Sequence, residues 1–152
     1  FLQDLFYTAK MRRSEVEHRR KVEEIIEFLA LEKYRQYPIA VLPYGVLKSV
    51  ELGRALAMEP NLLLLDEPAA GLNQEETEDM ARFILDIKEV LGVTQVLIEH
   101  ELRFVFDLAD KVTVLDFGRQ ISEGSPAEVR SSPAVAAAYM GQVFEEGAVQ
   151  DG

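Results

Sequence analysis

The segment from Asn61 to Asn73 constrains the fold of this chain more than any other, and it reads N-L-L-L-L-D-E-P-A-A-G-L-N. Its four consecutive leucines lie between Pro60 and Pro68, and the run is too short to span a membrane. A short apolar run between turn residues is typical of a strand that is buried on both faces of a parallel sheet. We therefore expect an α/β fold with this strand at its centre.

Two carboxylates, Asp66 and Glu67, follow the leucines at the carboxyl end of the predicted strand. Open α/β sheets bind their ligands at this end. Adjacent acids there suit a site in which one holds Mg²⁺ and the other polarises a water. Taken alone, however, two adjacent acids favour a solvated turn. Only other features of the sequence can discriminate between such a turn and a Mg²⁺ site.

The composition excludes several classes of protein. A chain of 152 residues, 48% hydrophobic and 28% charged, is long enough for one domain and is not typical of disordered segments. The formal net charge of −11 argues against duplex nucleic acid as a partner, because binding it requires a basic face. The absence of cysteine excludes disulfides and thiolate metal sites, and it permits a cytoplasmic location.

Capping signals predict the helices before the leucine segment. Ser14 and Glu17 form a Ser-x-x-Glu capping box, which predicts an amphipathic helix over residues 14–34. Two prolines predict an extended segment over residues 37–44. A second helix is predicted over residues 45–58, with a glycine at its start.

The elements after the leucine segment alternate between helix and strand. Asn73 and Glu76 predict the start of a third helix, which Gly92 ends. The side chains expected to be buried on this helix are Met80, Phe83, Ile84, Ile87 and Leu91. A second buried strand is predicted over residues 94–98, immediately before Glu99 and His100.

The last part of the chain predicts a short helix, a hairpin and two small helices. The short helix is expected to direct four side chains inward: Leu102, Val105, Phe106 and Ala109. The turn of the hairpin is predicted at Asp116-Phe117-Gly118-Arg119. Asp-Phe-Gly also occurs in kinases, but no other kinase motif accompanies it here, so we interpret it as a turn. Ser125-Pro126 and Ser132-Pro133 each begin a small helix, and residues 142–152 read as a flexible tail.

Four of these features follow one another in an order that resembles the nucleotide-binding subunit of an ABC transporter. They are Leu42, Pro43, Tyr44 and Gly45 at the start of a helix, the strand and acids of residues 62–68, the triplet Gly71, Leu72 and Asn73, and a strand that ends before His100. In the family the corresponding motifs are the signature motif, the Walker B strand with its catalytic glutamate, the D-loop and the switch histidine. Any one of them is weak evidence, and their order and spacing together are strong.

Within that family the chain is similar to the ATPase subunits of branched-chain amino acid transporters. Leu-Pro-Tyr-Gly in place of Leu-Ser-Gly-Gly, and the run over residues 65–73, are typical of that group. So is the ending Ala138-Tyr139-Met140-Gly141. The resemblance extends from about Met11 to Gly141, nearly the whole chain.

The chain departs from the family pattern in two respects. No glycine in the sequence is followed by lysine, so the phosphate loop of the form Gly-x-x-x-x-Gly-Lys-Ser/Thr is missing, and so is the Gln loop. Pro43 and Val46 replace the serine and glutamine of the signature motif. Proline has neither a hydroxyl group nor an amide hydrogen, so Pro43 cannot make the serine's contact to a γ-phosphate. The chain thus resembles the second half of the ATPase.

The resemblance implies a role for each matching residue. Asp66 is expected to hold Mg²⁺, Glu67 to act as general base towards the attacking water, and His100 to contact the γ-phosphate of ATP. The signature residues Leu42, Pro43, Tyr44 and Gly45 are expected to meet the ATP held by the opposite subunit. Gly71, Leu72 and Asn73 form the expected D-loop. As a single histidine after an apolar strand, His100 would otherwise be read as a capping or core residue.

The predicted fold class is α/β. By the resemblance it is a partial RecA-like ABC ATPase core, with parallel strands, a C-terminal hairpin and part of the helical signature subdomain. The expected domains are residues 1–58 for the helical portion, residues 59–141 for the core and residues 142–152 for the tail. Gly45 lies where a helix begins, and we expect Gly45→Asp in the full-length subunit to keep the fold but to prevent the ATP-dependent dimer. If Gly45 only satisfies a tight turn, the same substitution destabilises the fold instead.

The implied function is MgATP hydrolysis in a head-to-tail dimer that powers the uptake of branched-chain amino acids. The expected partners are a second ATPase subunit and membrane permease subunits, with no nucleic acid, at the cytoplasmic face of the plasma membrane. ATP and Mg²⁺ are expected to bind only together with the missing first half, so the chain alone should be inactive. Two alternatives stay open: a truncated, non-catalytic interaction module, and an ABC ATPase outside transport. The coding sequence upstream of Phe1 would discriminate between an ATPase and a non-catalytic module.

Overall fold

The computed structural model of the protein describes the backbone of residues 2–139 and the side chains of residues 11–139. In chain order its helices and strands are α1 (Leu2–Phe28), α2 (Tyr44–Leu56), β1 (Leu62–Asp66), α3 (Gln74–Glu89), β2 (Thr94–Ile98), α4 (Leu102–Leu108), β3 (Val112–Asp116), β4 (Arg119–Gly124), α5 (Pro126–Arg130) and α6 (Pro133–Tyr139). The predicted helix end at Gly141 and the predicted tail over residues 142–152 lie outside the described residues.

The chain divides after Val96 into two compact units. The first contains α1 to α3 and the strand β1, and the second contains the elements from α4 onward. Over residues 2–139, no helix has both the length and the apolar composition that crossing a membrane requires.

Helix α1 begins much earlier than predicted and ends earlier too. It continues through Ser14 and Glu17, so the predicted capping box is wrong: residues 2–28 contain no glycine or proline, and nothing interrupts the helical hydrogen bonds. The helix ends at Phe28 because Ala30 adopts a left-handed φ of 53°. The amide of Leu31 then donates to the carbonyl of Ile26 at 2.8 Å, as in a Schellman turn.

The segment between α1 and α2 is less extended than predicted. Pro38, Leu42 and Pro43 have extended ψ angles of 140°, 142° and 152°, but residues between them, Ile39–Val41, form a 3₁₀ turn. Helix α2 then packs closely on the end of α1. A Cβ atom at Gly53 would lie 3.0 Å from Cδ1 of Leu29, so the glycine permits this close approach.

Strand β2 has the predicted bounds, and β1 extends one residue beyond the four leucines, to Asp66; the two strands pair in parallel, but they are not buried on both faces. Leu63 is 5% exposed, whereas its neighbour Leu64 is 71% exposed. Val96 and Ile98 of β2 are exposed as well. Successive side chains of a strand point to opposite faces, and only two strands form this sheet within the described residues. One face of β1 is therefore uncovered, which corrects the prediction.

Helix α3 connects the two strands and follows the sequence pattern closely. Asn73 and Glu76 form the predicted capping box, and four of the five predicted side chains are buried: Met80, Phe83, Ile84 and Ile87. The fifth, Leu91, is exposed because the helix has already ended at Glu89. The side-chain amide of Gln95 donates to the carbonyl of Ile84 at 2.8 Å, which ties β2 to α3.

The second unit is built around the antiparallel hairpin of β3 and β4. Its turn consists of Phe117 and Gly118, with positive φ angles of 44° and 75°, so the interpretation of Asp-Phe-Gly as a turn is confirmed. Its buried core residues are Val112, Val114, Val129 and Val135. The four predicted side chains of α4 pack against this core, while the more deeply buried ones, Phe104 and Leu108, were not predicted.

Candidate functional site

The two acids lie at the carboxyl end of β1, where a tight turn leaves the strand. Asp66 is the last residue of the strand, and both Asp66 and Glu67 are exposed. Glu67 adopts a left-handed φ of 44°, which is uncommon for a residue with a side chain. Its carbonyl accepts the amide hydrogen of Ala70 at 3.1 Å, and the buried Pro68 lies inside this turn. The strand end therefore carries two exposed carboxylates on an ordered turn.

A lysine of helix α2 contacts the same turn. The ammonium nitrogen of Lys48 lies 3.4 Å from the carbonyl oxygen of Glu67. It also lies 5.8 Å from the ring centre of Tyr44, one helical turn earlier. The sequence reasoning did not select Lys48, although its spacing of four residues from Tyr44 places both on one helix face.

The start of α2 also lies beside the turn at Gly71. A Cβ atom at Gly71 would lie 3.2 Å from Cε1 of Tyr44, and Gly71 has a positive φ of 77°. Leu72 donates its amide hydrogen to the carbonyl of Ala69 at 3.2 Å, so the segment after Glu67 forms consecutive turns. The predicted signature residue Tyr44 and the predicted D-loop residue Gly71 are thus neighbours within the first unit.

Gly45 contacts the capping box of α3. The amide of Glu76 donates to Oδ1 of Asn73, and the amide of Asn73 donates to a carboxylate oxygen of Glu76, both at 3.0 Å. A Cβ atom at Gly45 would lie 2.5 Å from Cδ of this Glu76. A side chain at Gly45 therefore requires the carboxylate of Glu76, which closes the capping box, to move, and the expectation that the fold accepts Gly45→Asp stays a prediction.

Helix α2 begins without a side-chain cap. Pro43 is its N-cap residue and offers no side-chain hydrogen bond, while its carbonyl accepts the amide hydrogen of Leu47 at 3.0 Å. The half-buried Leu42 precedes it in extended conformation. The amide groups of the first helical turn have no side-chain cap, and such amides are suited to an anion.

His100 belongs to the second unit, so its surroundings are those of that unit. It follows β2, and its side chain is 65% exposed. Its Nδ1 atom lies 3.8 Å from a carboxylate oxygen of Glu99, whose side chain is only 2% exposed. A buried carboxylate beside an exposed imidazole was not predicted. The high exposure of His100 disagrees with the interpretation of this residue as part of the core.

The donor set at the strand end fits Mg²⁺ only when a nucleotide supplies further ligands. Among the residues whose side chains are described, no group of three or more His, Cys, Asp or Glu side chains is placed to hold a metal ion. Asp66 and Glu67 offer two carboxylates. Nucleotide-bound Mg²⁺ commonly uses one or two carboxylates together with phosphate oxygens and waters, and two acids satisfy that requirement.

Two family models match the chain. One, described as ABC transporter, matches residues 1–70, and the other, described as branched-chain amino acid ATP-binding cassette transporter, matches residues 119–145. Among curated proteins, the chain is 35% identical to the high-affinity branched-chain amino acid transport ATP-binding protein BraF of Pseudomonas aeruginosa, over 93% of this chain and 56% of BraF. It is 32% identical to the corresponding protein LivG of Salmonella typhimurium, over 91% of this chain and 54% of LivG.

Comparison with solved structures indicates the same family as these relatives. The fold is similar to that of an ATP-binding cassette of an ABC transporter in its ADP conformation, with a TM-score of 0.74 and 34% identity. The match covers 82% of this chain and 50% of that cassette, so the chain spans about half the length of the proteins it resembles. Its fold class is the predicted one, part of an ABC ATPase core with a parallel strand pair and a hairpin. The chain belongs to the ABC transporter ATPase family, and these curated relatives are named as branched-chain amino acid transport ATP-binding proteins.

Proposed function

We propose that the chain is the C-terminal part of the ATPase subunit of an ABC importer. The subunit hydrolyses MgATP in a head-to-tail dimer and powers the uptake of branched-chain amino acids or related compounds. The names of the relatives BraF and LivG support the substrate class. The observation that carries the proposal is the ordered turn at the end of β1, which holds two exposed acids beside the start of α2.

Each motif residue takes the role that its position supports. Glu67 accepts the proton of the attacking water, and Asp66 holds Mg²⁺ together with the phosphates. Mg²⁺, when bound, neutralises charge that develops on the phosphate oxygens. The D-loop consists of Gly71, Leu72 and Asn73, and His100 contacts the γ-phosphate.

The start of α2 is proposed to meet the ATP of the second subunit. Leu42 and Pro43 deliver an extended backbone to the helix, and Tyr44 and Gly45 lie in its first turn, where the helix dipole favours a phosphate. Pro43 supplies no hydroxyl group, so the contact rests on backbone amides. Residues 1–58 are the proposed helical subdomain portion and residues 59–141 the proposed core portion.

The partners of the subunit are a second ATPase subunit and membrane permease subunits, and the dimer works at the cytoplasmic face of the membrane. A non-catalytic interaction module is the second candidate, because the sequence contains no Gly-Lys pair and so no phosphate loop. The coding sequence upstream of Phe1 decides between the two candidates, because a phosphate loop encoded there favours the ATPase subunit.

The test is Glu67→Gln in the full-length subunit, with Glu89→Gln as the control. Glu89 is an exposed acid at the last residue of α3, so Glu89→Gln reports the effect of losing one surface charge. We expect Glu67→Gln to keep ATP binding and to lose turnover by roughly 10²–10⁴-fold, as for the loss of a positioned general base. Turnover within about threefold of the parent would mean that Glu67 is not the base.

A further inference from the structure

We propose that Lys48 is a positioning residue for Glu67: its ammonium group holds the carbonyl of Glu67 and so fixes the turn that presents the carboxylate. The inference rests on the proposed function only in calling Glu67 the general base. The contact itself is a property of the first unit of this chain.

The carbonyl of Glu67 accepts two donors. The amide of Ala70 donates to it at 3.1 Å and the ammonium of Lys48 at 3.4 Å, and a carbonyl oxygen has two lone pairs to receive them. The Ala70 bond closes the turn locally, whereas the Lys48 bond ties it to helix α2. Because the φ of Glu67 is left-handed, this backbone needs such support to keep one orientation.

Lys48 is itself held in place. It is half-buried on α2, and its ammonium lies over the ring of Tyr44, which restricts where the charge can move. The same Tyr44 ring lies beside Gly71, the far end of the turns that begin at Glu67, because a Cβ atom there would be 3.2 Å from Cε1 of the ring. One side-chain pair of α2 therefore holds one end of the segment from Glu67 to Gly71 and lies beside the other.

Lys48 would affect catalysis by fixing the position of Glu67. Lys48 touches the backbone of Glu67 rather than a reacting atom, so it acts through Glu67. A general base must be held close to one productive position, and small misplacements have large effects on rate. Loss of the ammonium should leave nucleotide binding unchanged and lower the turnover number.

The first measurement is amide hydrogen exchange at Ala70 in the chain, because that amide shares the carbonyl with Lys48. We expect Lys48→Met to accelerate exchange at Ala70 by about tenfold through local opening, while Lys48→Arg, which keeps a cationic donor, stays near the parent. Lys33→Met is the matched control: Lys33 lies 4.9 Å from the ring centre of Tyr34, an equivalent cation–ring pair elsewhere. Lys48→Gln serves as a second variant if Lys48→Met does not fold.

Unchanged Ala70 exchange in a folded Lys48→Met or Lys48→Gln variant would overturn the inference, whatever the activity. The second measurement is ATP turnover in the full-length subunit. We expect Lys48→Met to lower kcat by about tenfold at unchanged KM, with Lys48→Arg restoring most of it. An unchanged kcat, in a subunit that Glu67→Gln inactivates, would also overturn it. If instead Glu67→Gln stays active while Ala70 exchange rises in Lys48→Met, the contact stands and the proposed role of Glu67 fails.

Discussion

Gly45 lies so close to the side chain of Glu76 that a Cβ atom at Gly45 would be 2.5 Å from Cδ and 2.9 Å from Cγ of that residue. The φ of Gly45 is not positive, so the requirement for glycine comes from this close approach and not from backbone conformation. We predict that Gly45→Asp and Gly45→Ala each destabilise the chain by about 1–3 kcal/mol, as overpacking does. Chemical denaturation of the chain measures this effect.

A double-mutant cycle with Glu76→Ala tests the cause. Glu76→Ala removes the atoms that a new Cβ atom would meet, although it also opens the capping box of α3. In that background Gly45→Ala should cost little, giving a coupling energy above about 0.5 kcal/mol. Additive costs would mean that Gly45 is required for some other reason.

Local signals predicted the parts of the fold that short-range chemistry decides. Asn73 and Glu76 carry their capping box within four residues, and the bounds of β1 and β2 follow from short apolar runs. Ser14 and Glu17 have the same letters as a cap but lie inside a helix, because a cap also needs the preceding chain to leave the helix.

The sequence did not predict the contacts between secondary-structure elements. The contact of Lys48 with the carbonyl of Glu67 joins a helix to a loop 19 residues away, and no periodic pattern marks it. The proximity of Gly45 to Glu76 is of the same kind. The motif order identified the family, but it could not tell which side chains support the turn at Glu67.

The chain alone is predicted to bind MgATP weakly. The sequence has no phosphate loop, whose backbone amides and lysine normally supply most contacts to the phosphates. Calorimetric titration should therefore give a dissociation constant well above the order of 1 μM, which corresponds to about −8 kcal/mol. Tighter binding would show that the chain forms a nucleotide site of its own.

The exposed side chain of His100 leads to a prediction that separates activity from stability. In the full-length subunit His100→Ala should lower ATP turnover strongly, yet change the free energy of unfolding by no more than about 0.5 kcal/mol, as is usual at surface positions. His18, the other histidine of the chain, is exposed on α1, and His18→Ala is the control. A large loss of stability with full activity would return His100 to a structural role.

The cap of α5 leads to a prediction about pH. A hydrogen bond from the hydroxyl of Ser125, and a second from its backbone amide, lower the pKa of Glu128 below its ordinary value. A carboxyl whose pKa is lower in the folded state adds stability above its unfolded pKa near 4.3, and this stability is lost as the pH falls through the folded pKa. Ser125→Ala should raise the pKa of Glu128 and flatten this acid dependence.

Carboxyl NMR titration of Glu128 measures that change directly. Ser131→Ala is the matched control, because the hydroxyl of Ser131 donates to the backbone carbonyl of Glu128 at 2.9 Å and not to its carboxylate. If both variants shift the titration of Glu128 equally, the hydroxyl of Ser125 is not the cause.

Two neighbouring leucines of β1 provide the last prediction. Leu63 is 5% exposed and Leu64 is 71% exposed, so the same substitution at adjacent positions samples a buried and an open face of one strand. In the chain alone, Leu63→Ala should cost about 2–5 kcal/mol, as for a cavity in a core. Leu64→Ala should change the free energy of unfolding by no more than about 0.5 kcal/mol.

The same two substitutions, Leu63→Ala and Leu64→Ala, should also be measured in the full-length subunit. If the chain is the C-terminal part of a larger ATPase core, further elements of that core cover the open face of the sheet, and Leu64→Ala then becomes costly, by about 2 kcal/mol or more. A cost for Leu64→Ala that stays near zero in both proteins would contradict the proposal that these strands belong to one larger sheet core.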